Sequence, residues 1–423
     1  MFLERREDLT VEMTADGTTS EQRTLWSGVS ATRTGADVRM VYRSDPSFGE
    51  IERVAQAARA GEAHPNLSID TVGPRSTAEG PDLDDDPTPA LLRVAEAVAR
   101  LQPAARVVGR AVAFEQQVRV VRTGGALVED RRRGLRLRFE AALERKSARS
   151  SAVVEVVRPP TAIDLGDSAL DRVAEQLSER VEARLHAREP SPGEFDTVFG
   201  PGIGGVLVHE IVGHALEADV VLDGRSWLAE EDGRVAPLEL LILDDPRRGR
   251  AAWRADDEGQ RARPVPLIRS GRVAGRLHDM RTADRMGQSP TGHGRCASYR
   301  EPVRPRMGCT FVAAGRWSPE EIVNSIADGV YIRRMEAANV DLSSGRAVFR
   351  VTDSDRIVGG KLDAPLFPYL LVVEGRNALS GMDRVADDLA FDPCVGSCIR
   401  VGQPLAMSVG APTICTGRTW VVR

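Results

Sequence analysis

The chain has 423 residues, 42% of them hydrophobic, enough for about two to three domains and a sizeable buried core. A net charge of −5 supplies no global basic field for a nucleic-acid partner. No apolar run approaches the roughly 18 residues of a membrane helix, and MFLERREDLTVEM does not resemble a signal peptide, so the expected compartment is the cytoplasm.

In chain order, residues 8–44 hold short alternating segments, LTVEM and VRMVY, and 48–60 place Ile51, Val54, Ala55 and Ala58 at helical spacing. DLDDD at 82–86 reads as a surface loop. A helix follows, capped by Thr88, with Pro89 in its first turn, an apolar face running from Leu91 to Leu101, and Pro103 at its end. Between 105 and 158 the period becomes two, in RVVGRAVAF, QQVRVV and SAVVEVV, with TGG at 123–125 as a turn. Arg131, Arg132, Arg133, Arg136 and Arg138 flank or interleave LRLRF; they read as the solvated face of a half-buried strand rather than a phosphate patch. A further helix spans about 167–187, with Leu170, Val173, Leu177, Val181 and Leu185 inward, before REPSPGEF breaks the chain.

Beyond residue 195 the character changes. GPGIGG at 200–205 opens a helix but lacks the GK[ST] ending of a phosphate loop. LELLIL, PVPLI, CTFVAAG, RAVFRVTD, PYLLVVEG and QPLAMSVG then read as strands, interrupted by a helix near 318–329 begun by Ser318 and Pro319 with Glu321 in its first turn. The expected class is α+β. Residues 1–190 form a mixed α/β domain with a curved antiparallel sheet, and 191–423 a β-rich domain, barrel-like or sandwich, carrying a metal helix.

That helix contains GVLVHEIVGHALEAD, 205–219, with His209 and His214 around Glu210. Two histidines and a glutamate in an apolar helix point to a cation, because an unpaired buried carboxylate costs several kcal/mol. A spacing of five turns a regular helix by roughly 500°, leaving the two imidazoles about 140° apart, so they cannot share one ion. A π-type turn closes the gap, and Gly213 eases it by weakening the helix locally. Catalytic zinc takes three protein ligands and keeps one position for water. For the third ligand, spacing leaves Glu217, Asp219, His278, His293 and a cysteine open, with Glu217 equally suited to orient a ligand histidine. The five cysteines, odd in number and few for the length, argue against a disulfide framework and leave thiols such as Cys394 and Cys398 free. Their spacing of four is not the CxxC of thiol oxidoreductases.

HEIVGHALEAD resembles the HExxxH segment of the TldD/PmbA family of metalloproteases. The resemblance continues in family order through DDEG at 256–259, PLIRSGRVAGRLHDMRTADRMGQSPTGHGR at 266–295, SY at 298–299, PRM at 305–307 and SCIRVGQPLAMSVGAPT at 397–413. It implies zinc as the metal and Cys398 as the third ligand, since Gly402, Gln403, Gly410, Pro412 and Thr413 match the family's frame around its cysteine; Cys394 falls outside that frame. It also implies a dimer, with itself or a PmbA-like paralogue, around an enclosed channel, and, with HExxxH intact, a member of the active kind. The start lies close to the family's first strand, so the N-terminal helical segment common in the family is expected to be absent or shortened.

On these residues the expected activity is zinc-dependent hydrolysis of peptide bonds in unfolded or small peptides, with Glu210 as general base. Arg295 and Tyr299 are candidates to contact substrate. The alternatives are an amide hydrolase tailoring a small metabolite or modified peptide, and a non-catalytic partner subunit whose metal site is structural or vestigial. Three ligands plus water would favour catalysis, and a fourth ligand from Cys394 or Glu217 the structural option.

Overall fold

The computed structural model describes residues 1–33, 39–44, 86–121, 127–145, 148–158, 167–229, 233–249, 252–391 and 397–422. The helix expected at 48–60, the TGG turn, most of DLDDD and Cys394 lie outside these residues. The first part is a six-stranded antiparallel sheet of β1 (Phe2–Met13), β2 (Thr19–Arg33), β3 (Arg39–Ser44), β4 (Ala105–Val121), β5 (Leu127–Arg145) and β6 (Ala148–Arg158), ordered β3-β2-β1-β4-β5-β6. RVVGRAVAF and QQVRVV are therefore one strand. Alternation places Leu9, Val11 and Met13 of β1 and Leu137 and Phe139 of β5 on one face. Helices α1 (Thr88–Leu101) and α2 (Asp167–Ala183) cover that face with Leu91, Val94, Leu177 and Val181.

Three local expectations are corrected here. Thr88 is the first helical residue of α1, not its cap: Pro87 occupies the cap position, and the Thr88 amide donates to Asp86 Oδ1 at 2.9 Å. α2 ends at Ala183, and a 3-10 turn, Arg184–His186, completes it. Arg132 is not solvated. It is 4% exposed and donates to Asp257 Oδ1 at 2.7 Å and to the Ala255 carbonyl at 3.0 Å, because this end of the sheet's other face meets the second half of the chain.

The second half is built on a closed five-stranded barrel of β7 (Gly193–Phe199), β8 (Asp328–Asp341), β9 (Arg346–Val358), β10 (Tyr369–Glu374) and β11 (Ile414–Val422). Pairing runs β8-β7-β11-β10-β9 and returns from β9 to β8. Its interior side chains, among them Val330, Ile332, Phe349, Val351 and Leu371, share one core with Leu207, Ile211 and Val212 of the histidine segment. A smaller mixed sheet includes Ile242–Asp244, Val265–Arg269, Cys309–Val312 and Ser408–Ala411; LELLIL thus contributes only its end. The helix begun by Ser318 carries the expected reciprocal cap with Glu321 but runs only Pro319–Asn324, since β8 starts at Asp328. Met280–Arg285 and Gly375–Ser380 are further short helices; at six residues each they are too brief for a helical period to show.

Candidate metal centre

The segment after β7 changes helical type where the histidines lie. Gly204–Val208 is α-helical, His209–Gly213 is a π turn, His214–Leu216 is a 3-10 turn and Ala218–Leu222 is α-helical again. The widened turn leaves carbonyls that need donors, and later residues supply them. Trp227 Nε1 donates to the Ile211 carbonyl at 2.8 Å and Ser226 Oγ to the Ala215 carbonyl at 2.5 Å. Two glycines are needed for close approach. A Cβ on Gly205 would lie 2.4 Å from the Gly410 amide nitrogen, and one on Gly213 2.0 Å from Met307 Sδ. GPGIGG thus serves packing of the segment against the Ser408–Ala411 strand.

The π turn brings the imidazoles edge to face, with ring centroids 4.8 Å apart. Cys398 reaches them from a separate hairpin, Ser397–Arg400 paired with Gln403–Ala406. One nitrogen from each histidine and the Cys398 sulfur lie within 4.8 Å of one another, all three residues buried. Cys398 Sγ is 3.3 Å from His214 Nε2. Zinc bonds of about 2.0–2.3 Å at tetrahedral angles separate ligand atoms by about 3.3–3.8 Å, so the set needs only small side-chain rotations to close on one ion. His209 carries the strongest sign of a missing partner. It is fully buried, and neither ring nitrogen has a hydrogen-bond partner. Two imidazoles and a thiol are a donor set suited to zinc.

Surrounding charges prepare these ligands. Burial opposes the Cys398 thiolate, but the positive charge of His214 holds its pKa well below the ordinary thiol range. Burial likewise opposes protonated His214, yet the Cys398 and Glu217 charges raise its pKa well above the usual value. Thiolate and imidazolium thus favour each other, and a divalent cation would take the place of the imidazolium charge. Glu217 accepts from His214 Nδ1 at 3.0 Å, turning Nε2 toward the cysteine. It is itself held ionised against burial by His214, Arg400 and Arg306. Glu210, with a side chain 15% exposed, has Oε2 3.8 Å from His214 Nε2, beside the three ligand atoms without belonging to them.

The other expected residues fall elsewhere. Asp219 is bonded to Arg400 at 3.0 and 2.8 Å. His293 binds Asp244 at 3.1 Å, and His278 is buried one residue before the Asp279 helix cap. Arg295 donates to Asp257 at 3.1 Å, its guanidinium 4.1 Å above the Trp253 ring. It also lines a cleft of about 750 Å³ between the N-terminal sheet and the Cys398 hairpin. Tyr299 packs with Phe2, Val118 and Val120, its hydroxyl accepting from Arg300. Arg306, Arg400 and Trp227 support the centre but were missed. The signal available was charge: buried Glu217 and Asp219 require cations, and Arg306 and Arg400 stand in the PRM and SCIRVGQ blocks.

Residues 192–421 match the PmbA/TldA metallopeptidase C-terminal domain, and residues 78–185 the central domain. The chain belongs to the PmbA/TldA metallopeptidase family. Among relatives in this family, it is 32% identical over 233 residues to a metalloprotease TldD homolog of Buchnera aphidicola, covering 54% of this chain and 48% of that protein. A metalloprotease of Methanothermobacter thermautotrophicus is 31% identical over 58% of this chain and 54% of its own length. A zinc metalloprotease TldD homolog of Saccharolobus solfataricus is 27% identical over 58% and 55%. The chain thus spans about half the length of these relatives. Its fold resembles that of TldE from Thermococcus kodakarensis, with a TM-score of 0.77 at 16% identity, covering 100% of this chain and 96% of that one.

Proposed function

We propose that this chain is a zinc-dependent peptidase that hydrolyses peptide bonds in unfolded or small peptides, with zinc held by His209, His214 and Cys398 and Glu210 as general base. The observation that carries the reading is the convergence of three buried ligand atoms within 4.8 Å around a histidine with neither nitrogen hydrogen-bonded. The TldD homologues named metalloproteases support it. Bound zinc would supply a water with a pKa near 7 and polarise the scissile carbonyl. The chain's own residues do the rest. The Glu210 carboxylate, beside the ligand atoms, would act as the proton acceptor and hand the proton on to the leaving amine, while Glu217 fixes the His214 ring through Nδ1. Glu217 faces that nitrogen rather than joining the ligand atoms, which counts against it as a fourth ligand; Cys394, the other candidate for that place, lies outside the described residues.

In the same proposal the protein acts in the cytoplasm as a dimer, with itself or a PmbA-like paralogue. Among the described residues, no helix is long and apolar enough to cross a membrane. The division into parts 1–190 and 191–423 also belongs to the proposal, supported by the gap between the two family matches, after 185 and before 192.

The test is elemental analysis beside turnover of an unstructured peptide. Glu210→Gln is expected to keep its zinc and lose hydrolysis by at least about 100-fold. Cys398→Ala is expected to lose most of its zinc. Normal turnover in the first, or full zinc in the second, would overturn the assignment.

A further inference from the structure

The ligand set is split between two pieces of chain that share no strand ladder. The histidines ride on a helical segment that shares a core with the barrel strands, whereas Cys398 sits on a hairpin whose two strands pair with each other and with no other strand among the described residues. A lone two-stranded hairpin is marginal in water, so something beyond its own backbone bonds must hold the thiol against the imidazoles.

Two arginines make that connection. Arg306, 1% exposed, donates from Nη2 to the carbonyl of Cys398 itself at 2.6 Å and from Nη1 to the Gln403 carbonyl at 3.2 Å, gripping both strands with one planar group. Its Nε lies 3.9 Å from Glu217 Oε1, on the carboxylate that orients His214. Arg400, two residues after the cysteine, reaches back to the helix. Its Nη1 is 3.1 Å from Glu217 Oε2, and it binds Asp219 through both terminal nitrogens at 3.0 and 2.8 Å. Each arginine thus touches both the hairpin and the acidic end of the histidine segment.

We infer that Arg306 and Arg400 are positioning residues that hold the Cys398 hairpin against the histidine helix and so set the affinity of the site for a divalent metal. The inference rests on the metal-centre reading above. A guanidinium suits the task because its fixed fork serves two carbonyls on neighbouring strands at once, which a lysine ammonium on a flexible stem cannot do with the same geometry. Charge alone does not account for it, since a lysine would balance Glu217 equally well.

The experiment compares wild type with Arg306→Lys and Arg400→Lys. Three measurements are made: zinc dissociation constants by chelator competition, the thiolate-to-cobalt absorption band after cobalt(II) loading, and the thermal midpoint of the metal-free protein. The expected result for Arg306→Lys is a loss of zinc affinity of about 10–100-fold and a diminished thiolate band, together with a lowered metal-free midpoint as the buried carbonyls lose their donor. Arg400→Lys should lose about 10-fold. Wild-type affinity and a full band in both variants would overturn the inference, as would a lowered midpoint with affinity unchanged, which would make the role purely one of folding. If Arg306→Lys does not fold, Arg400→Lys decides on the same readouts, because the Arg400 side chain is 9% exposed and lies nearer the surface. Wild type without zinc binding or a thiolate band would instead overturn the metal-centre reading, whatever the variants do.

Discussion

At the scale of single residues, Glu217 illustrates what spacing leaves open. Three positions after His214 it can serve as a ligand or as an acceptor for the ring, and on a regular helix both are within reach. The 3-10 turn His214–Leu216 decides between them by directing the carboxylate to Nδ1 at 3.0 Å. Glu217→Gln keeps an acceptor oxygen but removes the charge that favours this tautomer and that pairs with Arg400 and Arg306. Its zinc affinity is expected to fall about 10-fold, read by chelator competition; an unchanged constant would remove Glu217 from the orienting role. Arg295 and Tyr299 carry the complementary lesson. Residue type suggests contact with substrate, a role that remains a proposal: Asp257 accepts from the Arg295 guanidinium, which also lines the cleft beside the Cys398 hairpin, and the Tyr299 ring packs in an apolar cluster.

At the scale of elements, the five-residue interval between histidines was informative because only one common distortion brings such side chains to one side, and the π turn His209–Gly213 is that distortion. The glycines before it were legible as a cluster but not as a contact. Gly205 faces the backbone of Gly410 on a strand some two hundred residues away, a closeness no local pattern announces. Because a Cβ there would meet main chain rather than a flexible side chain, Gly205→Ala is expected to destabilise the protein by about 1–3 kcal/mol in urea unfolding. Stability within about 0.5 kcal/mol of wild type would contradict the close approach. The Cys398 hairpin was likewise unreadable as a separate unit, since QPLAMSVG looks like one strand while Met407 divides it between two sheets.

At the scale of the whole molecule, the loop that brings Asp257 to Arg132 also carries two further acids. Burial, then the neighbouring Asp256 and Asp279 charges, push Glu258 up to about 8 from 4.5, and burial pushes Asp256 up to about 6. A carboxyl with a raised folded pKa binds more protons folded than unfolded. Its contribution is therefore fully present below about 4.5 and is lost as pH rises through about 8. Between about pH 5 and 8 this group should lower stability by up to about 1.4 kcal/mol per pH unit. Glu258→Gln, which can still accept from the Met280 amide, should flatten that slope in urea titrations across the window. Equal slopes in variant and wild type would show that Glu258 does not drive the effect.

By itself the sequence determined the class of each half, the widened turn and the residue types of a candidate metal site. These follow from periods of two and 3.6 and from the cost of burying charge, all of which are local. Only the tertiary structure decided that five strands close into a barrel sharing its core with the histidine segment, that the hairpin carrying Cys398 is tied down by Arg306 and Arg400, and that Arg132 is buried against Asp257. The physical reason is that partners joined across a hundred residues or more are selected by packing and charge compensation in the assembled fold, and periodicity along the chain carries no record of that choice.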